Sequence, residues 1–417
     1  FVASFNRPNI YYHIEPKRGR YERIVAYLQK HRDDAGIIYV LSRASAQTLA
    51  DRLMSDGFMA EAYHAGLDNE TRRVTQEKFV RDEIKIVVAT VAFGMGINKS
   101  NVRFVIHADL PKNIESYYQE TGRAGRDGLP SDALLYFSGG DVIKLKRFAE
   151  VEGNPTQSAI MLKKLQHLAD MCEVNVCRRK SILNYFGENA PESCGNCDVC
   201  TTIRETFDGT IIAQKAISAV ARLESHYGLS YTIDFLRGSK AEKIREAHTT
   251  IKTYGIGNDI SKNDWFRYFK ELIAQGFLAI SEGEYPVIKL TQKSVAVLRG
   301  NERVMFTKTI AKVETDLSLP AHEHLLLNDL KSVRAKLARD ENMPAYIIFS
   351  DATLTELATY LPLTLEDMRK ISGFGEVKLA KYGAPFLEPI LNYCSQHSLV
   401  TKISEKIPKR VRNKSLS

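Results

Sequence analysis

The sequence predicts a multidomain chain: an α/β unit on a parallel sheet, a helical segment gathered around cysteines, an α+β unit of winged-helix type, and a last all-helical unit. Three observations carry this. Up to about residue 150, compact apolar runs alternate with helix-like stretches; five of the six cysteines fall between positions 172 and 200; and from residue 320 the apolar spacing is helical throughout. The 417 residues, 44% of them hydrophobic, suffice for two to four packed domains. No apolar run approaches the roughly 20 residues of a membrane span, so no membrane partner is expected.

Within residues 1–150, Ile37 to Val40 is a continuous apolar run and predicts a buried strand, with Ser42 as the cap of a helix reaching Ser55. Further strands are predicted at Met59 to His64, Ile84 to Thr90, Val102 to His107 and Ala133 to Phe137. Helices at Asp68 to Arg81 and Asn113 to Glu120 lie among them. Strands without polar alternation are covered on both faces, which is the signature of a parallel sheet. Residues 151–207 hold the cysteine cluster. In residues 208–300, a helix opened by Ser261 runs through Ala274. Two short strands follow, Leu278 to Ser281 and Val287 to Thr291, joined across residues 282–286. A charged stretch from Arg299 to Leu319 reads as a linker, assigned to 301–319, before a helical unit at 320–397 and a basic tail at 398–417.

The most telling run is Gln119-Glu120-Thr121-Gly122-Arg123-Ala124-Gly125-Arg126-Asp127-Gly128. On a helical turn its spacing stacks Arg123 over Arg126, so that two guanidinium forks reach one anion, while Gly122 and Gly125 leave a bare strip. A solvated basic helix is the plainer alternative, but two glycines would weaken it for no return. At the predicted strand ends stand Ser42-Arg43, Tyr63-His64-Ala65-Gly66 and Thr90-Val91-Ala92-Phe93-Gly94-Met95-Gly96-Ile97-Asn98. Ligands of such folds collect at these ends. Cys177, Cys194, Cys197 and Cys200 form C-x16-C-x2-C-x2-C, a set of four soft donors suited to a closed structural metal site. Successive C-x2-C spacings also occur around iron–sulfur clusters. The sequence contains no G-x-x-x-x-G-K-[ST] phosphate loop and no Walker B run.

The arginine run resembles the last motif of superfamily 2 helicases, and its wording is similar to that of the RecQ family of DNA helicases. Ser4-Phe5-Asn6-Arg7-Pro8-Asn9-Ile10 resembles that family's linker between two RecA-like domains. Cys177-Arg178-Arg179 with Leu183-Asn184-Tyr185-Phe186-Gly187-Glu188 resembles its zinc-binding subdomain. Thr232 to Ser239 resembles a signature of its winged helix, and Pro344 to Asp351 with Ile371 to Leu379 resembles the helicase-and-RNase-D C-terminal (HRDC) domain. The resemblance implies a second RecA-like domain, a zinc subdomain with structural Zn²⁺, a winged helix and an HRDC-like domain: the back portion of a longer enzyme. It implies ATP-driven 3′→5′ unwinding of branched or tailed duplex DNA, with ATP and Mg²⁺ held mainly by a first RecA-like domain that these residues do not include. Arg126 then acts as arginine finger with Arg123 beside it, Gln119 senses the nucleotide and Asn98 approaches the ribose. Ser42, Arg43, His64 and Thr90 contact phosphates of single-stranded DNA. By the same match Tyr346 stacks on a base. Read from the residues themselves, the capped helix start at Ser261 and Lys262 offers donors to phosphates or groove edges, and Tyr285 at the hairpin tip either stacks on a terminal base pair as a strand-separating pin or braces the turn beside Pro286. The family pattern also implies a monomer, a partnership with single-stranded-DNA-binding protein, and residence in the bacterial cytoplasm or the eukaryotic nucleus. The rival from another class is a non-enzymatic DNA-binding module serving a separate ATPase. RNA in place of DNA is a third reading.

The net charge of +8 is modest for this length, so composition alone does not establish a nucleic-acid partner. It is unevenly spread: residues 321–401 carry eight Lys/Arg against ten Asp/Glu, whereas residues 402–417 carry six against one. The tail is therefore the stronger expected source of phosphate affinity at this end.

Overall fold

The computed structural model describes residues 4–90, 93, 99–150, 153–173, 176–242, 244–281, 286–312 and 323–406. The chain divides into two compact units, residues 1–201 with 314–417, and residues 202–313.

The first unit is organised by a six-stranded parallel sheet in the order β1-β6-β5-β2-β4-β3. Its strands are β1 (Ile10–Pro16), β2 (Ala35–Tyr39), β3 (Ala60–Tyr63), β4 (Ile86–Ala89), β5 (Val102–His107) and β6 (Ser131–Phe137). Between and after them run helices α1 (Arg20–Lys30), α2 (Arg43–Ser55), α3 (Asn69–Val80), α4 (Ile114–Thr121) and α5 (Gly139–Ala149). The strand side chains alternate between two buried faces. Ile38, Val88, Ile106 and Leu134 pack under Ile24, Leu28, Ala46 and Leu53 of α1 and α2. On the opposite face Ile37, Val87 and Val105 join Phe79 and Phe93, while Ala133 and Leu135 join Ile114 and Tyr117. This two-faced burial explains why the strands read as continuous apolar runs. β1 was not foreseen: IYYHIEP alternates and sits at the sheet edge, pairing with β6 along its length and making an isolated bridge from Tyr12 to Cys197.

Helices α6 (Pro155–Glu173) and α7 (Arg178–Tyr185) extend the second face, with Leu165, Leu168, Met171 and Ile182 in the same core as Ile10 and Tyr12. Residues 323–406 add α8 (His324–Asp340), α9 (Ala345–Ile348), α10 (Asp351–Tyr360), α11 (Leu365–Met368) and α12 (Glu376–His397), gathered on a core of their own around Leu330, Leu354, Leu357, Phe386 and Ile390.

The second unit opens on strand Thr202–Asp208, continues through helices Thr210–Arg222, Leu229–Leu236 and Lys262–Ala274 and the short hairpin Leu278–Ile280 with Ile288–Leu290, and closes on strand Met305–Lys312. The closing strand corrects the linker expected at 301–319. Its residues pair antiparallel with the opening strand, from Met305 opposite Asp208 to Lys312 opposite Thr202. The polar residues of TKTIAK hid this strand. Phe306 is fully buried against Phe207 and Tyr268. Trp265, the chain's one tryptophan, is also fully buried here and donates to Gly257 O at 2.8 Å. Phe306→Ala is therefore expected to cost the second unit about 3–5 kcal/mol. Equilibrium denaturation followed by Trp265 emission checks this, and an unchanged midpoint would return residues 305–312 to the status of a linker.

Candidate functional site

Helix α4 starts where Asn113 Oδ1 accepts the Ser116 N–H at 2.8 Å, and it stops at Thr121 with Gly122 as its cap. Residues 122–128 are a series of tight turns, so the expected stacking of Arg123 over Arg126 on a helix does not occur. The reason is Gly125, whose φ of +58° breaks the helical path. A Cβ there would lie 2.3 Å from Asn9 Nδ2 and 2.8 Å from Leu129 O, so the turn is both left-handed and crowded.

Three devices rigidify the turn. Ala124 is fully buried against the sheet core. Arg103 donates to both carboxylate oxygens of Asp127 at 2.6 and 2.7 Å. From the N-terminal segment, Arg7 donates to the carbonyls of Gly122 at 3.0 Å, Ala124 at 2.8 Å and Gly125 at 3.1 Å, and Asn9 Nδ2 donates to those of Gly125 and Leu129. The outcome is a cluster of cations: Arg123 half-buried, Arg126 exposed, Arg7 close by. Partial burial, then the charges of Arg123 and Arg7, press the Arg126 pKa below its ordinary value, although arginine keeps its proton at neutral pH. An anion bound here would relieve that repulsion. Gln119 is exposed on α4 and its neighbour Glu120 is buried.

At the carboxyl ends of β2, β4 and β5 lies a cavity of about 290 Å³ lined by Arg43, Thr90, His107, Asp109, Lys112 and Glu120, among others. Here the strand order reverses, the customary place for a ligand. Ser42 caps α2 through Ser45 N at 3.1 Å, leaving Arg43 exposed. His64 is buried, and its Nδ1 already accepts the Gly66 N–H at 3.2 Å. Its ring thus shapes the turn after β3, with Nε2 left as the atom for any ligand. A Cβ on Gly66 would lie 3.2 Å from Arg43 Cδ, so Arg43 and His64 are neighbours. Asn98, and most of the loop after Thr90, lie outside the described residues.

The four cysteines converge. The Sγ atoms of Cys177, Cys194, Cys197 and Cys200 all lie within 4.8 Å of one another, and the Cys194–Cys200 pair is 3.9 Å apart. Four thiolates about 2.3 Å from a tetrahedral Zn²⁺ would be spaced by roughly 3.8 Å, so this donor set fits that ion. Cys177 caps α7, where the Lys180 N–H reaches its sulfur at 3.4 Å, and Cys194 Sγ accepts the Asn196 N–H at 3.3 Å. Hydrogen bonds from Cys194 and Cys197 hold the Cys177 thiol well below its usual pKa, while sharing a proton with Cys177 drives Cys194 up. A divalent cation resolves that competition by taking all four as thiolates. Cys172 and Cys394 are buried elsewhere.

The cysteine module is stitched to the N-terminal segment. Asp198 N–H donates to Tyr12 O at 3.0 Å, its carboxylate takes Arg178, Arg179 donates to Ile10 O at 2.7 Å, and Asn196 Nδ2 donates to Pro8 O at 2.8 Å. Phe5 stacks on Phe186 at 4.3 Å.

The remaining expected DNA contacts are more dispersed. Ser261 caps its helix through Asp264 N at 3.1 Å, and Lys262 is drawn into an ion pair with buried Asp234 at 2.7 Å, so a phosphate would have to compete for it. Tyr285 lies outside the described residues. Tyr346 is half-buried on α9, its ring 6.0 Å from the Lys99 ammonium, and Gly375 caps α12.

Family comparisons follow this layout. The helicase conserved C-terminal domain matches residues 19–128, the RecQ zinc-binding domain 139–201, the RQC domain 203–315 and the HRDC domain 323–390. The chain is 40% identical over 397 residues to the ATP-dependent DNA helicase RecQ of Haemophilus influenzae, covering 93% of this chain and 64% of that one. The chain belongs to the RecQ family. It carries the helicase C-terminal, RecQ zinc-binding, RQC and HRDC domains and spans just under two thirds of the length of the curated relatives it matches. The ATP-dependent DNA helicase RecQ of Bacillus subtilis is 37% identical, with 94% of this chain and 66% of that one covered. A putative ATP-dependent RNA helicase of Acanthamoeba polyphaga mimivirus is 38% identical over 309 residues, covering 70% of this chain and 56% of that one.

In this RecQ chain, sequence reasoning missed Arg7 and Asn9 as supports of the arginine turn. The signal available was an Arg-Pro-Asn run too polar for a mere spacer. Arg7→Ala is expected to destabilise the first unit by about 1.5–3 kcal/mol, since it strips charged donors from three carbonyls. Thermal unfolding tracked away from Trp265 checks it. Cys197→Ser is expected to abolish stoichiometric zinc, measured by atomic absorption, and to lower the melting temperature of the first unit while the Trp265 transition stays put.

Proposed function

We propose that this chain is the part of an ATP-dependent, 3′→5′ DNA helicase that supplies the arginine finger, the strand-end DNA contacts, the zinc site and the accessory DNA-binding domains. The observation that carries this is the Arg123 and Arg126 pair on a turn that Arg7 and Asn9 hold rigid. Two guanidinium groups so placed stabilise charge developing on a transferring phosphoryl group, and they do so without reorganising. The phosphate loop that the sequence does not contain would come from another RecA-like domain, which also holds most of the ATP and Mg²⁺. Nucleotide closes the cleft, Arg123 and Arg126 complete the site from this side with Gln119 as sensor and Asn98 near the ribose, and opening and closing advance the strand gripped near Arg43, His64 and Thr90. Ser261, Lys262, Tyr285 and Tyr346 serve tailed or branched DNA, the enzyme acts as a monomer, and single-stranded-DNA-binding protein is its partner.

In the full-length protein, Arg126→Ala should abolish ATP hydrolysis, by about 10³-fold or more, while single-strand binding holds within twofold. Normal turnover would remove Arg126 from the role. Lys406 is tied to Glu356, so the cations that meet phosphate at this end are expected among residues 407–417, which carry four and no acid. Deleting them should flatten the salt dependence of DNA affinity, by about 0.7 in logarithmic slope for each phosphate they neutralise. The mimivirus relative, named as an RNA helicase, favours RNA as a second reading. Matched DNA and RNA tails in competition separate the two, because the 2′-hydroxyl is the difference between them.

A further inference from the structure

Between the strand-end cavity and the arginine turn lies a buried polar group that the proposed reaction does not use. His107, at the end of β5, is 1% exposed, and Glu120, on α4, is 5% exposed. His107 Nε2 and Glu120 Oε2 are 2.7 Å apart. The imidazole is held between two aromatic rings: Tyr39 of β2, stacked at 5.3 Å and 21°, and Tyr117 of α4, tilted at 5.1 Å. Tyr39 is itself buried, and its hydroxyl donates to the backbone carbonyl of Phe93 at 3.0 Å. Phe93 sits in the loop that follows Thr90. On its other side the same hydroxyl meets Arg123.

We propose that Tyr39, His107 and Glu120 are positioning residues that tie Phe93 to the arginine turn, setting where Arg123 stands when DNA occupies the strand ends. His107 and Glu120 line the 290 Å³ cavity together with Arg43, Thr90 and Lys112, so the group has one face towards the strand-end contacts and one towards the finger. Each member spans a junction between separate elements: β5 to α4 through the His–Glu bond, β2 to β5 through the stacked rings, and β2 to both the loop and the turn through one hydroxyl. A purely apolar filling of this core would avoid the desolvation cost of a carboxylate and an imidazole. What the polar version adds is direction, because the hydrogen bonds fix the rotation of α4 immediately before the turn it feeds. Sub-ångström errors there matter, since misplacing a catalytic group by about 1 Å can cost on the order of 10²-fold in rate.

This inference rests on reading Arg123 and Arg126 as ligands of the transferring phosphoryl group, and the experiment separates the two. In the full-length protein, Tyr39→Phe, Glu120→Gln and Glu120→Ala are compared with Arg126→Ala for kcat and KM of single-strand-stimulated ATP hydrolysis, for DNA affinity and for melting temperature. Tyr39→Phe, which removes one oxygen and keeps the ring stack, should lower kcat about tenfold with KM for ATP and DNA affinity within twofold. Glu120→Ala should lower kcat further, and Glu120→Gln, which keeps an acceptor for His107, should recover most of it. Arg126→Ala inactive with Tyr39→Phe and both Glu120 variants at parental kcat would overturn the positioning role and leave the arginine reading intact. Arg126→Ala at parental kcat overturns both. A loss that appears only as a lower melting temperature, with parental kcat per folded molecule, makes the three residues ordinary core and also overturns the proposal. If Glu120→Ala does not fold, Tyr39→Phe decides alone.

Discussion

The guanidinium of Arg7, spread over the carbonyls of Gly122, Ala124 and Gly125, is the contact on which the rest of the first unit's chemistry depends. A turn with three glycines in seven residues cannot hold its own shape, since Gly125 is free to leave the left-handed, crowded geometry it adopts there. Arg7 supplies the missing order from more than a hundred residues away in sequence, and its segment is fixed in turn by Arg179 and Asn196 of the cysteine module. Structural metal site, N-terminal segment and arginine turn thus form one connected stack. The cysteine module therefore bears on where Arg123 and Arg126 stand.

Much of this was legible in the sequence for reasons that differ by element. The parallel sheet was legible because β2, β4 and β5 are buried on both faces and can be written only in apolar residues. The cysteine centre was legible because a closed four-sulfur site needs short, repeated spacings. The arginine run was recognisable as a motif, but its shape was misread: a spacing of three suggests a helix, whereas the positive φ of Gly125 is set in a pocket made by Asn9, Ser131 and Leu129, which the spacing does not announce. β1 and the strand at Met305–Lys312 escaped because edge and ribbon strands carry polar residues that look like linkers. His64 illustrates a further limit. Its place after a strand was evident, whereas the acceptor role of its Nδ1 in a local turn was not.

The residues of the arginine turn and of the helix opened by Ser261 also differ physically. Arg123 and Arg126 stand on a turn held by backbone contacts to a rigid sheet, so their placement is paid for by folding. Ser261 and Lys262 sit at the start of one helix, with Lys262 already paired to Asp234. A cation of that kind meets a new partner only by giving up its present one, which leaves a weaker and more salt-sensitive interaction than a preorganised one.

The ribbon that closes the second unit has a mechanical consequence. Thr202 and Lys312, its points of entry and exit, are opposite one another in the same antiparallel pair. Tension applied through the flanking chain would pull both strands from one end of the ribbon, loading its hydrogen bonds one rung at a time in an unzipping geometry. An antiparallel pair pulled from opposite ends would share the load across all its rungs at once. The second unit is therefore hung on the weaker of the two arrangements, and under force the ribbon would open from Thr202 and Lys312 towards Asp208 and Met305 before the Trp265 core is reached.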